Sequence, residues 1–216
     1  MSIGASPKTG TVIIVNGGSS AGKTSLCHAF QDIVGEPYFL LGIDKYWFTM
    51  PPKEIDLETR SDAYYRWIQE EADGKKYFRI LPGHYLDQIM LARYRSMAAY
   101  LDRGLNLIAD EVFWSRDWLE ESLRVFESYR VYYIGAYCQE EEICRREIQR
   151  GDRYLGWAVG SQLYVHRDAI YDLELDTTEM TPMQCAQSII QFINENPEPL
   201  AASKMREKFL ISRSQP

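Results

Sequence analysis

Gly17, Gly22, Lys23 and Thr24 stand in the spacing G-x-x-x-x-G-K-[ST], inside "NGGSSAGKTS" (residues 16–25), between the apolar run "TVIIV" and the amphipathic "LCHAFQDIV". From Gly17 through Gly18, Ser19, Ser20, Ala21 and Gly22 to Ser25 there is almost no side-chain bulk. Such a backbone can curl and turn successive N–H groups inward, and a helix beginning near Lys23 adds the positive end of its dipole. In that setting Lys23 would reach the β- and γ-phosphates of a nucleotide and Thr24 would ligate Mg²⁺. The ligand implied is a nucleoside triphosphate. Reading guanine would need an N-K-x-D stretch, which the sequence lacks, so ATP is favoured.

What happens to the phosphate depends on the other strand ends, because an open parallel sheet gathers its ligands at the carboxyl edge. "GIDKYWF" places Asp44 at the end of a second strand, followed by the aromatics Tyr46 and Trp47. Asp44 there is either a general base or orienting carboxylate for an acceptor hydroxyl, or a cap of the next segment. "IADEVFW" brings Asp110 and Glu111 to the end of a third strand, just before Phe113. These acids would orient magnesium through water or touch the acceptor, or else cap the following helix. Two carboxylates beside a triphosphate call for a divalent cation, with Thr24 and Asp110 as its nearest protein oxygens.

Compensating positive charge is supplied by "EEEICRREIQRGDRYLG", with Arg145, Arg146, Arg150 and Arg153. Helical spacing puts Arg146, Arg150 and Arg153 on roughly one face. The segment reads as a lid that closes over the triphosphate, with Arg150 and Arg153 at its turn stabilising the transferring group, or as a solvated helix of i,i+4 pairs. After "DLELD", Asp176 and Thr177 would lie beside the nucleotide base, Asp176 being otherwise a turn cap.

The elements that must position these residues are legible as β-branched runs alternating with amphipathic ones. Strands are predicted at 11–16, 38–43, 106–111, 130–138 and 171–176, and helices at 23–34, 85–103, 115–127, 139–150 and 182–194. That alternation predicts an α/β fold with a parallel sheet covered on both faces. Residues 51–84 break the rhythm and read as an inserted hairpin or short helical lid. The expected organisation is a single domain over 1–195 carrying that insertion, and a tail from Asn196 that frays or docks on a neighbouring subunit of a homo-oligomer. The chain has 216 residues, with 24 Lys and Arg against 31 Asp and Glu for a formal net charge of −7. That balance argues against a nucleic-acid or membrane-surface partner. Cys27, Cys138, Cys144 and Cys185 show no metal-ligand spacing, and nothing at the N-terminus reads as an export signal, so a cytoplasmic setting with reduced thiols is expected. His84, in the loop "LPGHY", would touch an acceptor or lie at the surface; His166 has no nearby sequence partner for catalysis and reads as a packing or capping residue; Tyr64, Tyr65, Trp67, Tyr77 and Phe78 read either as a wall for an aromatic acceptor or as core cover.

Taken in order, "NGGSSAGKTS", "GIDKYW", "LIADEVFWSRDWL", "GAYCQEEEICRREIQRGDR" and "QLYVHRDAIYDLELDTTEMTPMQCA" resemble the chloramphenicol phosphotransferase-like proteins, a branch of the P-loop kinases, over about residues 11–195. The resemblance implies a three-layer P-loop kinase fold with a five-stranded parallel sheet of nucleoside-monophosphate-kinase type. It implies transfer of the ATP γ-phosphate to a primary hydroxyl of a chloramphenicol-like small molecule, with Asp44 as base, Gly17 to Ser25 as ATP loop, and Arg150 and Arg153 in the lid. "ADEVF" matches a family stretch near the acceptor pocket. The chain departs from the family pattern in the bulkier "KYWFTM" and in "RSDAYYRWIQEEADGKKYFRILPGHY", both of which bear on the shape of that pocket.

Overall fold

A computed structural model of the chain describes residues 9–55, 61–72, 74–151 and 154–211. Five strands form one parallel sheet: β1 (Thr11–Asn16), β2 (Tyr38–Leu40), β5 (Asn106–Glu111), β6 (Arg130–Tyr137) and β7 (Leu173–Asp176), in the order β2-β5-β1-β6-β7. β1 is central because its side chains are buried on both faces, as a parallel strand between helical layers must be. Alternation along the strands then divides the core in two. Ile13, Val15, Ile108, Ile134 and Leu175 pack under α1 (Lys23–Ile33) and α7 (Pro182–Glu195). Val12, Ile14, Leu107, Ala109 and Tyr133 pack under α3 (His84–Leu101) and α4 (Arg116–Val125). The result is the three-layer P-loop kinase architecture expected from the sequence.

Several helix ends are set by the residues that local chemistry favours. Ser115 caps α4 by accepting the Trp118 N–H, and Thr181 and Gln184 form a reciprocal capping box ahead of Pro182 in α7. The inserted segment is a hairpin, β3 (Tyr65–Ala72) with β4 (Lys75–Pro82), so of the two predicted forms the hairpin is the one present.

Three expectations are corrected. The second strand stops at Leu40; Gly42 then caps a short helix, α2 (Ile43–Trp47), so Asp44 lies in a first helical turn instead of at a strand end. Gly42 is required there, since a Cβ at this position would overlap Asp110 Oδ1. A helix not predicted from sequence, α6 (Trp157–Val165), follows the lid helix α5 (Glu140–Arg150). It shows no amphipathic period because both of its sides are buried, one by the hairpin and one by the phosphate loop. The tail does not fray over its described part: α8 (Ala201–Arg206) buries Ala201, Ala202 and Met205 in the α3/α4 layer of its own chain, and Arg206 donates to the Leu123 and Phe126 carbonyls. No helix among the described residues is long and apolar enough to cross a membrane.

One buried charge pair ties α3 to the sheet. Arg93 and Glu111 are fully buried and bonded twice, Nε to Oε1 at 3.0 Å and Nη2 to Oε2 at 2.6 Å, with Arg93 also over the Tyr94 and Trp118 rings. Burial pushes the Glu111 carboxyl above its usual range against the pull of the Arg93 guanidinium. Removing one partner strands the other charge. Arg93→Met should therefore destabilise the fold by about 3–5 kcal/mol, whereas the double variant Arg93→Met/Glu111→Leu should recover most of that loss. Urea unfolding of the three proteins checks both statements.

Candidate active site

The loop from Gly17 to Gly22 joins β1 to α1 and opens into a cleft of about 470 Å³ at the carboxyl edge of the sheet. Its shape follows from its backbone. Gly22 has φ 77°, and Ser20 adopts a left-handed φ of 60°, unusual for a residue with a side chain. Gly17 has no room for a Cβ, which would lie 2.5 Å from the Ala136 carbonyl oxygen of the neighbouring strand. Lys23 is buried and folds back, Nζ donating to the Gly18 carbonyl at 2.6 Å. The Ser20 hydroxyl is buried and without a partner.

Thr24, in the first turn of α1, donates its hydroxyl to Asp110 Oδ2 at the end of β5. This joins the two residues singled out as nearest the magnesium. Glu111, one residue on, points through the sheet to Arg93, away from the cleft. Asp44 is exposed on α2 and lines the cleft alongside Trp47. Tyr46 turns the other way, its hydroxyl 2.5 Å from Ser96 Oγ on α3. Phe113 is buried and its N–H donates to Asn16 Oδ1, so it belongs to the core behind the loop.

The arginines of α5 separate. Arg145 is exposed and forked onto Glu142, whose carboxylate is held down at about 2 by the hydrogen bonds from Arg145 and then Arg146. Arg146 reaches across the phosphate loop: Nη2 donates to the Thr177 carbonyl at 2.7 Å, and Nη1 faces Ser20 O and Thr177 Oγ1 at 3.5 Å. Arg150, the last residue of α5, lines the cleft, and Arg153 lies outside the described residues. Thr177 is buried and bonded to the Tyr137 carbonyl, while Asp176 is exposed and caps the Thr178 N–H.

The cleft is also walled by aromatic side chains from four places in the chain. Trp47, Tyr65, Trp67, Trp114 and Trp157 meet at ring distances of 4.7 to 6.5 Å, mostly edge to face. Tyr65 and Trp67 are among the aromatics weighed from sequence; Trp114 and Trp157 are not, because no spacing links them. The indole N–H groups of Trp67 and Trp114 are buried and unpartnered. His166 stacks on Tyr137 at 4.0 Å behind the loop and bonds Tyr171 and Gln162; burial, and then the charge of Lys23, push it down to about 4. It is a packing residue, as its sequence context suggests.

Nucleotide-loop residues, a strand-end acid and a walled pocket thus share one cleft. A family model described as "Chloramphenicol phosphotransferase-like protein" matches residues 10–194. A protein of Mycobacterium tuberculosis bearing the name "Putative O-phosphotransferase" is 47% identical over 202 residues, covering 93% of this chain and 90% of its own. Among solved structures, the chain is similar to an APS kinase of M. tuberculosis in complex with AMPPNP and APS (TM-score 0.61, 13% identity, 87% of this chain and 99% of that one). It is similar also to a shikimate kinase from Acinetobacter baumannii in complex with shikimate (TM-score 0.55, 14% identity, 88% and 96%). At such identities these two attest the fold, which is that of P-loop kinases. Fold and family together indicate a kinase-type phosphotransferase, and the chain belongs to the chloramphenicol phosphotransferase-like family.

Proposed function

We propose that the protein transfers the γ-phosphoryl group of Mg·ATP to a hydroxyl of a small molecule, a primary alcohol of chloramphenicol-like character. The observation that carries this reading is the common cleft, whose lining holds Lys23, Thr24 and Asp110, the aromatic wall and Asp44 together. An ATP triphosphate fits the loop because its curled backbone, the α1 N-terminus and the unpartnered Ser20 hydroxyl all offer donors. A magnesium ion fits the Thr24–Asp110 pair, since Mg²⁺ usually takes one or two protein oxygens and completes its shell with water and phosphate. Held by Thr24 and Asp110, the ion would supply positive charge against that of the phosphates.

The roles of the chain's own residues follow. Lys23 leaves the Gly18 carbonyl for the phosphates, and Arg146 and Arg150 draw the lid helix toward the developing charge. Asp176 and Thr177, the latter tied to the lid by Arg146, would border the base. Asp44 receives or orients the proton of the acceptor hydroxyl; because phosphoryl transfer has a loose transition state, that proton leaves late and positioning does most of the work. The wall supports a flat acceptor bearing oxygen lone pairs, which would stack on the rings and satisfy the Trp67 and Trp114 N–H groups.

Mg·ATP should raise the melting temperature by mass action on the native state, and Lys23→Ala should abolish most of that rise. Equal stabilisation of both proteins would remove the loop from nucleotide binding. Transfer itself is read with γ-labelled ATP and a panel of hydroxyl acceptors that includes chloramphenicol. With the best acceptor, Asp44→Asn should lower single-turnover transfer by about a hundredfold or more, the scale of general-base loss, while Mg·ATP affinity stays near wild type. Retained transfer in that variant would move the base to another residue. A panel in which only polyols or sugar nucleotides accept would replace the chloramphenicol-like acceptor with a metabolite.

A further inference from the structure

The lid helix, the aromatic wall and the phosphate loop are linked by a row of hydrogen bonds that starts at Glu147. This residue is on the inner side of α5 and only 4% exposed. Its carboxylate accepts the Gly156 N–H at 2.7 Å on one oxygen and the Ala158 N–H at 2.6 Å on the other, capping α6 from a different helix. The negative charge sits on the positive end of the α6 dipole, where it is stabilised. From Ala158 the row continues: its carbonyl accepts the Ser161 hydroxyl at 2.7 Å, and Ser161 Oγ accepts the Ser19 N–H of the phosphate loop at 2.8 Å. Every donor in the row faces the same way, from loop to carboxylate; the Ala158 carbonyl and N–H belong to different peptide groups, so the two ends are joined mechanically, through the backbone of α6.

Helix α6 has little freedom to ignore either end of this row. A Cβ on Gly18 would come within 2.7 Å of the Gln162 side chain, so loop and helix are in direct contact. On the opposite side, Gly160 approaches the hairpin so closely that a Cβ would lie 2.5 Å from the Phe78 carbonyl oxygen. Between the two N–H groups held by Glu147 sits Trp157, whose buried ring lies 5.0 Å from Trp67 and 5.3 Å from Trp114 in the cleft wall. A shift of the loop that moves Ser161 must therefore move the backbone that carries Trp157.

We propose that Glu147 is a positioning residue that couples the two halves of the cleft: by clamping the first turn of α6 it holds Ser161 against the phosphate loop and Trp157 in the acceptor wall. Filling the loop is then transmitted to the tryptophan wall before any acceptor arrives. The inference rests on the nucleotide reading of the loop and goes beyond it in assigning the path to the acceptor side.

Four of the five tryptophans, Trp47, Trp67, Trp114 and Trp157, line the cleft, so tryptophan emission reports on the wall. The experiment titrates Mg·AMPPNP into the wild type, Glu147→Gln and Ser161→Ala, following emission and, in parallel, heat of binding. Wild type should bind and change its emission. Both variants should bind with a dissociation constant within about fivefold of wild type, the scale of a modest coupling, yet lose most of the emission change. A purely structural role for Glu147 would lower the melting temperature and leave the emission response unaltered, and that result overturns the coupling. So does a wild type that binds without any change in emission. Absence of heat on titrating the wild type would overturn the nucleotide reading and this inference with it. Should Glu147→Gln fail to melt cooperatively, Ser161→Ala, which keeps the clamp and cuts the row at the loop, decides the matter.

Discussion

Adjacent residues on a β-strand point to opposite faces of the sheet, and the two acids that end β5 are divided by that rule. Asp110 faces the α1 side and meets Thr24 at the phosphate loop; Glu111 faces the α3 side and is neutralised by Arg93. One strand end thus supplies a cleft carboxylate and a structural ion pair, and the second holds the first in place. β5 is fixed on one face by α3 through Arg93 and on both edges by its pairing with β1 and β2. Asp110 is further confined by Gly42, whose missing side chain leaves the space that Oδ1 occupies. The same glycine starts α2 and so aims Asp44 at the cleft.

Cost and function are balanced in a similar way elsewhere. Of the four carboxylates Asp44, Asp110, Glu111 and Glu147, two are engaged by structural partners, the Arg93 guanidinium and the first turn of α6. The remaining two lie in the lining where charged phosphates and a cation are proposed to bind. Arginines sort by the same logic. Arg145 is held at the surface by Glu142, whereas Arg146, sharing that glutamate, extends over the loop to Thr177.

Much of this was legible in the sequence. The phosphate loop follows from its spacing, the parallel sheet from its apolar β-branched runs, and the helices α1, α3, α4, α5 and α7 from periodicity, since each helix has a buried and an exposed side. What escaped has a common physical cause. α6 is buried on two sides and so has no period to read. α2 is five residues long, too short for a period, and its start depends on a steric fact about Gly42 and Asp110 that lies 68 positions away in the chain. Trp114 and Trp157 join Trp47 and Trp67 only through tertiary packing. Glu147 looks like one charge among many in "EEEICRREIQR", and its burial is visible only once α6 is seen to begin against it. The tail failed for a different reason: two prolines at 197 and 199 signal a break, yet the apolar spacing of Ala201, Ala202, Met205 and Phe209 beyond them suffices to dock it.

The most direct measurement is a crystal structure with Mg·AMPPNP bound. The γ-phosphate should lie in the 470 Å³ cleft, between the Thr24–Asp110 pair and the Asp44 carboxylate, with Lys23 released from the Gly18 carbonyl and Arg146 still against the loop. A nucleotide seated with its γ-phosphate outside that cleft, or one from which Asp44 is screened by α2, would contradict a shared site for triphosphate and acceptor alcohol.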